Sequence, residues 1–229
     1  MSVWLTSVKM KTHLKNCAAI IIAFSIILLS GCADMRTPQA SKKFQIQTPS
    51  ERQAELSKIN FWQATGAFSI QQANQKPVIA TYDWHQANQG YRIEIVSSLD
   101  LYRVNTHAVR HSITVWKNGT LVSHAKTPEV LMEKAMGWSL PLHELQNWIK
   151  GLPAPKKEGA FEAQYDSFGH LILLQQAGWT LQYAAYKKEE DGADLPQRIL
   201  LTRPGISAKI VVRDWMLMMQ PYKTFEVMP

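Results

Sequence analysis

Residues 78–95, VIATYDWHQANQGYRIEI, contain the most informative pattern of the sequence. Apolar and aromatic side chains stand at every second position, with mostly polar side chains between them. The apolar series are Val78, Ala80, Tyr82 and Trp84, then Tyr91, Ile93 and Ile95. A period of two residues places each series on one face of a β-strand. Both segments are therefore predicted to be half-buried antiparallel strands.

The same alternation recurs along most of the chain, separated by turn residues. It is found at Phe68 to Ile70, Ile113 to Trp116, Leu171 to Leu174, Leu181 to Tyr186, Ile199 to Leu201 and Lys209 to Trp215. Asn118-Gly119 is typical of a type I′ hairpin turn, because both central residues of that turn need positive φ angles. The pattern predicts roughly nine to eleven strands, without the spacing of βαβ units.

Two amphipathic helices are predicted within this series of strands. The first would have Thr127 as its cap and Pro128 at its opening position, and would end at Gly137. The second would open at Pro141 and end at residues 151–153. Each helix has an apolar side that must cover an apolar surface, so we expect an α+β arrangement with helices over one face of the sheet. If the sheet curls, the space between the layers is a lipid-sized cavity.

The first 31 residues have the organisation of an export signal. Their apolar run, residues 18–29, is about twelve residues long and so shorter than the ~20 that cross a bilayer as a helix. The sequence Leu-Ser-Gly-Cys that ends at Cys32 resembles the bacterial lipoprotein signal. That resemblance implies removal of residues 1–31, and N-acyl and S-diacylglycerol lipids on Cys32.

The mature chain would then have 198 residues and two parts. Residues 32–50 are rich in Pro, Ser, Lys and Gln without periodicity, which indicates a lipid-anchored flexible tether. Residues 51–229 form the predicted single domain, which begins with a short helix through Lys58 capped by Ser50.

Charge and cysteine content exclude several classes of protein. The net charge of +7 includes Lys9, Lys11 and Lys15 of the signal, so the mature chain has a surplus of only +4. A surplus this small, without a basic stripe, argues against a nucleic-acid partner. The only two cysteines, Cys17 and Cys32, exclude a disulfide-rich scaffold and a four-cysteine zinc site.

No catalytic constellation is found in the sequence. Residues 137–139, Gly-Trp-Ser, begin like a nucleophile elbow, but Pro141 stands where the second glycine belongs. His107 and His111 are four residues apart without the remainder of a zinc motif, so structural histidines are the better interpretation. We therefore expect no enzyme activity, no metal and no cofactor beyond the lipids on Cys32.

Several segments together resemble the LolB family of outer-membrane lipoprotein receptors. The most specific are Gly137-Trp138-Ser139-Leu140-Pro141, then Leu145, Trp148 and Gly151-Leu152-Pro153. Gly66-Ala67-Phe68, Trp84, Tyr91-Arg92 and Asp214-Trp215 extend the similarity over most of residues 60 to 215. Thr65 departs from the arginine that many members have before the glycine.

The resemblance implies a fold, a function and partners. The fold would be an incomplete antiparallel β-barrel with helices covering an apolar cavity. The protein would be a monomer facing the periplasm from the outer membrane, where it accepts acylated lipoproteins from a LolA-like carrier and inserts them among the outer-membrane lipids. Leu99 stands in the place of the family's membrane-inserting leucine, although the Pro and Gly around that leucine are absent here.

Seven residues are candidates for the lining of the acyl-chain cavity, because aromatic and Met side chains give polarizable walls that can repack. They are Trp84, Tyr91, Ile93, Met132, Met136, Leu145 and Trp148. The alternative for each is an ordinary core residue. The alternative for the whole protein is a structural envelope lipoprotein that scaffolds a complex and fills its cavity with its own side chains.

Overall fold

The computed structural model describes residues 44–88, 90–98, 102–109, 112–125, 127–190 and 192–218. Within these ranges the chain forms eleven strands, three α-helices and one 3₁₀ helix, Lys156–Glu158. The strands are β1 (Phe61–Gln72), β2 (Val78–Ala87), β3 (Gly90–Ser97), β4 (Arg103–Val109), β5 (Ser112–Lys117), β6 (Thr120–Ala125), β7 (Phe161–Tyr165), β8 (Leu171–Gln176), β9 (Trp179–Lys188), β10 (Asp194–Arg203) and β11 (Ile206–Leu217). The helices are α1 (Pro49–Leu56), α2 (Pro128–Met136) and α3 (Leu142–Trp148).

All eleven strands belong to one antiparallel sheet. Their order is β6-β5-β4-β3-β2-β1-β11-β10-β9-β8-β7, so two series of hairpins meet where β1 pairs with β11. Within the described residues β6 and β7 are the two edges, which leaves the sheet open as an incomplete barrel. Helices α2 and α3 lie in the connection between these edges. The predicted α+β class and the number of strands are confirmed.

The strands follow the predicted alternation but are longer and more numerous than the clearest runs. In β1 the buried positions begin at Trp62 and Ala64, well before Phe68. Strands β4 and β7 have few large apolar residues, so their periodicity is weak in the sequence. The turn between β5 and β6 is as predicted, with φ angles of 50° at Asn118 and 77° at Gly119.

A bulge interrupts the pairing of β1 with β11 beside Gly66. Thr65 pairs with Asp214 but Gly66 pairs with Val212, so Arg213 is the extra residue. A side chain on Gly66 would overlap the Val211 carbonyl oxygen and the Tyr82 ring. Glycine is therefore required here, because the ring of Tyr82 on β2 crosses β1 at this point.

Two helices differ from their predicted boundaries: the first has another cap and ends at Leu56 instead of Lys58, and the third spans Leu142–Trp148 instead of continuing to residues 151–153. Thr48, not Ser50, caps α1: its hydroxyl accepts from the Glu51 amide, and the Glu51 carboxylate accepts from the Thr48 amide. This capping box begins the helix at Pro49. Helix α2 follows Thr127 and ends at Gly137, whose φ of 78° is favourable for glycine.

No helix in the described ranges is both long and apolar enough to span a bilayer.

Candidate functional site

An apolar cavity of about 40 Å³ lies between the sheet and the helices α2 and α3. Strands β1 to β4 and β11 form one wall, and the helices with their connection form the other. Every strand residue of the wall is an inward member of the alternation. The lining consists of Phe68, Tyr82, Trp84, Ile93, Ile95, Thr106 and Ile210 from the sheet, and Met132, Trp138, Leu140, Leu142, Leu145 and Ile149 from the helical side.

The structure brings four of the seven predicted lining residues together at this cavity. They are Trp84, Ile93, Met132 and Leu145. The other three predicted residues belong to the surrounding core and not to the lining of the cavity. They are Tyr91, Met136 and Trp148.

Each of the three has a different place in the core. The Trp148 indole N–H donates to Gln176 Oε1 at 3.0 Å, so this ring is directed at β8. Tyr91 packs edge-on against Trp84 with 6.2 Å between ring centroids. Met136 is the last residue of α2 and is only partly buried. Periodicity assigns a residue to a face, but it does not say which part of that face the cavity occupies.

Several lining residues were not predicted from the sequence, for different reasons. Tyr82 and Ile95 lie on the inward faces that the alternation identified, so the sequence could have found them. Trp138 and Leu140 lie in the connection between α2 and α3, which has no periodicity. Trp138 is buried by a tertiary contact, since its ring meets Phe68 edge-on at 5.2 Å.

The lining has no charged side chain, and two of its polar atoms are bonded within the protein. The Tyr82 hydroxyl donates to the Val211 carbonyl at 3.3 Å, and the Trp84 indole N–H donates to Gln86 Oε1 at 3.1 Å. Burial raises the pKa of Tyr82 well above its ordinary value, although nearby Arg213 opposes this effect. The cavity therefore presents an uncharged surface suited to hydrocarbon.

We call residues 128–148 the cover, because they contain every lining residue of the helical side except Ile149. The C-terminal end of the cover is fastened by hydrogen bonds. The Gln176 side chain accepts from Trp148 Nε1 and from the Ala154 amide and donates to the Ala154 carbonyl, at 3.0, 2.8 and 3.0 Å. The Tyr183 hydroxyl donates to the Trp148 carbonyl at 2.9 Å. These bonds fix the end of α3 to β8 and β9.

The rest of the cover has fewer polar ties. Glu129 Oε1 accepts from the Leu142 amide at 3.2 Å, so a side chain of α2 caps the N-terminus of α3. Lys117 Nζ donates to the Ala135 carbonyl at 2.8 Å and links α2 to β5. Otherwise α2 and the start of α3 meet the sheet through apolar side chains. Among the described residues, this part of the cover is thus held to the sheet mainly by apolar packing and by the one hydrogen bond from Lys117.

Lys150, just after the cover, is a buried amine. Its Nζ donates to the carbonyls of Ile59 and Leu56 at 3.0 and 3.5 Å, which places it at the C-terminal end of α1. Burial lowers the pKa of Lys150 to about 8. This amine connects the fastened end of the cover to the first helix.

A cluster of polar side chains, most of them buried, lies outside the cavity. Asp194 Oδ2 accepts from Arg52 Nη2 at 3.1 Å and lies 3.3 Å from His170 Nε2. The other ring nitrogen of His170 is 3.0 Å from Asp166 Oδ2. The His170 ring also stacks on Tyr186 with 4.2 Å between centroids. We call Arg52, Asp166, His170, Tyr186 and Asp194 the polar cluster.

The last residues assigned to the tether contact this polar cluster. The ring of Phe44 meets His170 edge-on at 4.8 Å, and the Gln45 carbonyl accepts from Arg52. Gly169 has no room for a side chain because the Gln47 carbonyl crosses it. Residues 44–48 therefore lie against the domain.

The structure also shows where the residues of the rejected catalytic and metal-binding motifs lie. Ser139 follows a helix and not a strand, so the strand-to-helix turn of a nucleophile elbow is absent there. His107 lies on β4, where burial and Arg92 lower its pKa; His111 lies outside the described residues. Over the described ranges no three His, Cys, Asp or Glu side chains are grouped as metal ligands.

Cys32 and Leu99 lie outside the described residues. Leu99 belongs to the connection between β3 and β4, and the two ends of that connection are described. The Ser97 amide donates to the Tyr102 carbonyl at 3.0 Å, and the Tyr102 amide donates to Ser97 Oγ at 2.9 Å. The ends of this connection are therefore held together.

Comparison with known proteins agrees with this architecture. Residues 60–215 match the family model described as outer membrane lipoprotein LolB. An outer-membrane lipoprotein LolB of Coxiella burnetii is 43% identical over 197 residues, which are 86% of this chain and 91% of the relative. The LolB of Nitrosococcus oceani is 34% identical over 204 residues, covering 89% of this chain and 100% of the relative.

A solved structure supports the fold alone. It is a DUF1329 family protein from Desulfovibrio piger, 10% identical, with a TM-score of 0.51 over 75% of this chain and 92% of that chain. The match over residues 60–215 agrees with the open antiparallel sheet and the covered apolar cavity. The chain belongs to the LolB family of outer-membrane lipoproteins.

Proposed function

We propose that this protein is a lipid-anchored receptor of the outer membrane that accepts acylated lipoproteins from a LolA-like periplasmic carrier and inserts them into the membrane. The observation that carries the proposal is the uncharged cavity under a cover that is fastened at one end. Family membership supports the receptor role and the outer-membrane location. We propose Cys32 as the site of the lipid anchor, a monomeric state, and no enzymatic step.

The size of the hydrophobic effect explains why such a receptor needs a cavity. Burying one methylene stabilises by about 0.8 kcal/mol, so exposing an acyl chain of some fifteen methylenes costs on the order of 12 kcal/mol. An acylated protein therefore cannot cross an aqueous space with its chains exposed. A continuous apolar surface such as the one between sheet and cover offsets much of this cost.

The cavity must enlarge to hold a chain. Its volume of about 40 Å³ is room for about three water molecules at 10 to 15 Å³ each. We expect α2 and the start of α3 to move, because apolar contacts supply most of their packing on the sheet. Gln176 and Tyr183 would hold the far end of α3 in place, and exposed Gly137 would allow the change in direction between the helices.

Transfer would proceed down a gradient of affinity. The sequence has no Gly-x-x-x-x-Gly-Lys loop, so ATP hydrolysis at such a site does not drive it. Each tenfold step in affinity between carrier, receptor and membrane needs about 1.4 kcal/mol. The bilayer is the best solvent for acyl chains and is therefore the final acceptor.

The test of cargo acceptance uses the full-length lipid-anchored protein in detergent or vesicles, and a triacylated lipoprotein held by the carrier. We expect the cargo to leave the carrier and to appear with the receptor. A receptor that takes no cargo under conditions where it is folded would contradict the proposal and favour the scaffold role.

We further propose that Leu99 inserts into the bilayer during release. Burying a leucine side chain in lipid gains about 1.5 to 3 kcal/mol, and a glutamate there would oppose insertion. In Leu99→Glu we expect cargo to be accepted from the carrier as in the wild type, while its transfer to vesicles stops.

The matched control is Leu121→Glu, which adds the same charge at a half-exposed leucine beside another hairpin turn. We expect this variant to transfer cargo normally. Equal loss of transfer in both variants would mean that any added negative charge hinders contact with the membrane. Normal transfer by Leu99→Glu would remove Leu99 from the mechanism.

A further inference from the structure

Trp138 differs from the other polar-tipped residues of the cavity. It lines the cavity and is only 1% exposed, yet its indole N–H has no acceptor among the described residues. The indole N–H of Trp84 and the hydroxyl of Tyr82 line the same cavity, and both are bonded. Trp148, next to the cavity, is bonded as well.

An unpaired buried donor destabilises the empty protein, since the group loses its water without gaining a partner. Indole can donate but cannot accept. A ligand that brings an acceptor to this N–H therefore gains the hydrogen bond without a further desolvation cost for the indole, because the N–H has already lost its water in the empty protein. The complementary group is an oxygen acceptor attached to hydrocarbon.

The hydroxyl of Tyr102 is a second buried atom of this kind. It has no hydrogen-bond partner among the described residues. Burial raises the pKa of Tyr102, and the nearby Trp138 side chain partly opposes this rise, although the two groups do not form a hydrogen bond of ordinary geometry. Two buried donors close to each other thus lack a partner of ordinary geometry among the described residues: Trp138 lines the cavity, and Tyr102 lies outside the lining.

The position of this pair is fixed by the sheet. Tyr102 follows the connection that contains Leu99, and its backbone is bonded to Ser97 at the end of β3. Lys117 Nζ lies 5.4 Å from the centre of the Tyr102 ring and also donates to the cover. The donor pair therefore lies where the β3–β4 connection, the cavity and the cover meet.

We propose that the Trp138 N–H and the Tyr102 O–H form a polar subsite for the ester carbonyl oxygens of glycerol-linked acyl chains on the lipidated cysteine of the cargo. Esters offer acceptors and no donors, which matches two unpaired donors. Hydrocarbon tails would occupy the apolar remainder of the cavity. This assignment rests on the proposed function and adds to it the recognition of the head of the lipid.

The test compares two synthetic lipopeptides that differ only at these oxygens. One has an S-diacylglyceryl-cysteine, and the other has the dialkyl ether analogue without ester carbonyls. With the full-length protein we expect the ester to bind about fivefold to tenfold more tightly than the ether, which is about 1.0 to 1.4 kcal/mol and the size of one net hydrogen bond.

The variant Trp138→Phe keeps a ring but removes the donor. We expect it to bind ester and ether equally, and Tyr102→Phe, a smaller change with less risk to folding, to reduce the preference. The matched control is Trp84→Phe, which removes a donor that is already bonded to Gln86. Its affinity for both lipids can fall, but the ratio between them should stay at the wild-type value.

The outcomes separate the two proposals. Equal binding of ester and ether by the wild type would overturn the subsite and leave the receptor role intact. Binding of neither lipopeptide would overturn both. A preserved preference in Trp138→Phe and Tyr102→Phe would also overturn the subsite. Equally strong competition by a phospholipid with the same acyl chains would assign the ester subsite to membrane lipid and overturn its assignment to cargo.

Discussion

The two ends of the cover are held to the sheet by different forces. At the end near Trp148, Gln176 and Tyr183 supply several directional hydrogen bonds. At α2, apolar side chains do most of the packing, and among the described residues one hydrogen bond, from Lys117, joins the helix to the sheet. The first end resembles a hinge and the second resembles a flap.

This difference explains how one small domain can be stable and still admit an acyl chain. Hydrogen bonds and ion pairs are directional, and a buried group that loses its partner destabilises strongly. Apolar contacts are not directional, so they can be replaced by contacts with an acyl chain at little net cost. Polar bonds therefore belong where the fold must stay fixed, and apolar contacts where a guest must enter.

The largest expected effect is a loss of stability. We expect it to differ between a leucine in the centre of the sheet and a leucine at the cavity. Leu181 is fully buried and pairs across strands with Leu174 and Leu201, which are also fully buried. Leu145 lines the cavity. We expect Leu181→Ala to lower the free energy of unfolding by about 4 to 5 kcal/mol, and Leu145→Ala by about 2 to 3 kcal/mol, because the cover can settle into the space.

Urea denaturation of both variants measures this difference, with the same substitution chemistry as its internal control. Equal losses of stability would mean that the cover is packed as rigidly as the centre of the sheet. The distinction between hinge and flap would then fail.

The next largest effect concerns the polar cluster. Arg52→Met keeps most of the side-chain volume but leaves Asp194 buried without its guanidinium partner. Removing one member of a buried pair costs about 3 to 5 kcal/mol, and we expect a loss of stability in that range by urea denaturation. Lipid binding by the folded variant should be unchanged, since the cluster does not line the cavity.

The control for this prediction is Lys157→Met, which breaks the exposed pair with Glu158. Exposed pairs contribute about 0 to 1 kcal/mol, so this variant should be nearly as stable as the wild type. A loss of less than about 1 kcal/mol in Arg52→Met would show that the cluster does not fasten α1 and residues 44–48 to the domain.

The smallest of the three effects is a dependence on pH from Lys150. Its ordinary pKa is 10.5 and burial lowers it to about 8 in the folded chain. Between these values the unfolded chain keeps the proton that the folded chain releases, so this residue makes the free energy of unfolding rise with pH. From pH 8 to pH 10 we expect a rise of about 2 kcal/mol relative to Lys150→Met.

Denaturation profiles of the wild type and Lys150→Met at several pH values provide the measurement. Other titrating groups are common to both proteins and cancel in the difference. Parallel profiles would show that Lys150 keeps its ordinary pKa and that its environment at the end of α1 is open to water.

Much of the fold could be predicted because local chemistry determines it. Alternation identified the inward faces of β2 and β3, Asn118-Gly119 identified a hairpin, and Gly137 ended α2. The cap of α1 was placed at Ser50, two residues late, because Thr48 and Ser50 are both good caps. Only the contact with the Glu51 carboxylate decides between them.

The cavity was harder to predict than the core around it. Trp84 and Tyr91 share one inward face, but only Trp84 reaches the lining, since position along the strand relative to the cover decides it. Trp138 lies in a short connection whose sequence gives no sign of burial. Its unpaired N–H became visible only when its ring was seen against Phe68 and the cavity.

The class of fold and the inward faces of the strands could be read from the amino-acid sequence alone, and its resemblance to LolB proteins indicated the family. These follow from turn chemistry, side-chain period and motif order, which act between neighbours in the chain. The tertiary structure decided which inward residues meet at the cavity, which end of the cover is fastened, and which donors stay unpaired. Those properties depend on contacts between residues far apart in the chain, where distances of a few tenths of an ångström separate a bonded group from an unbonded one.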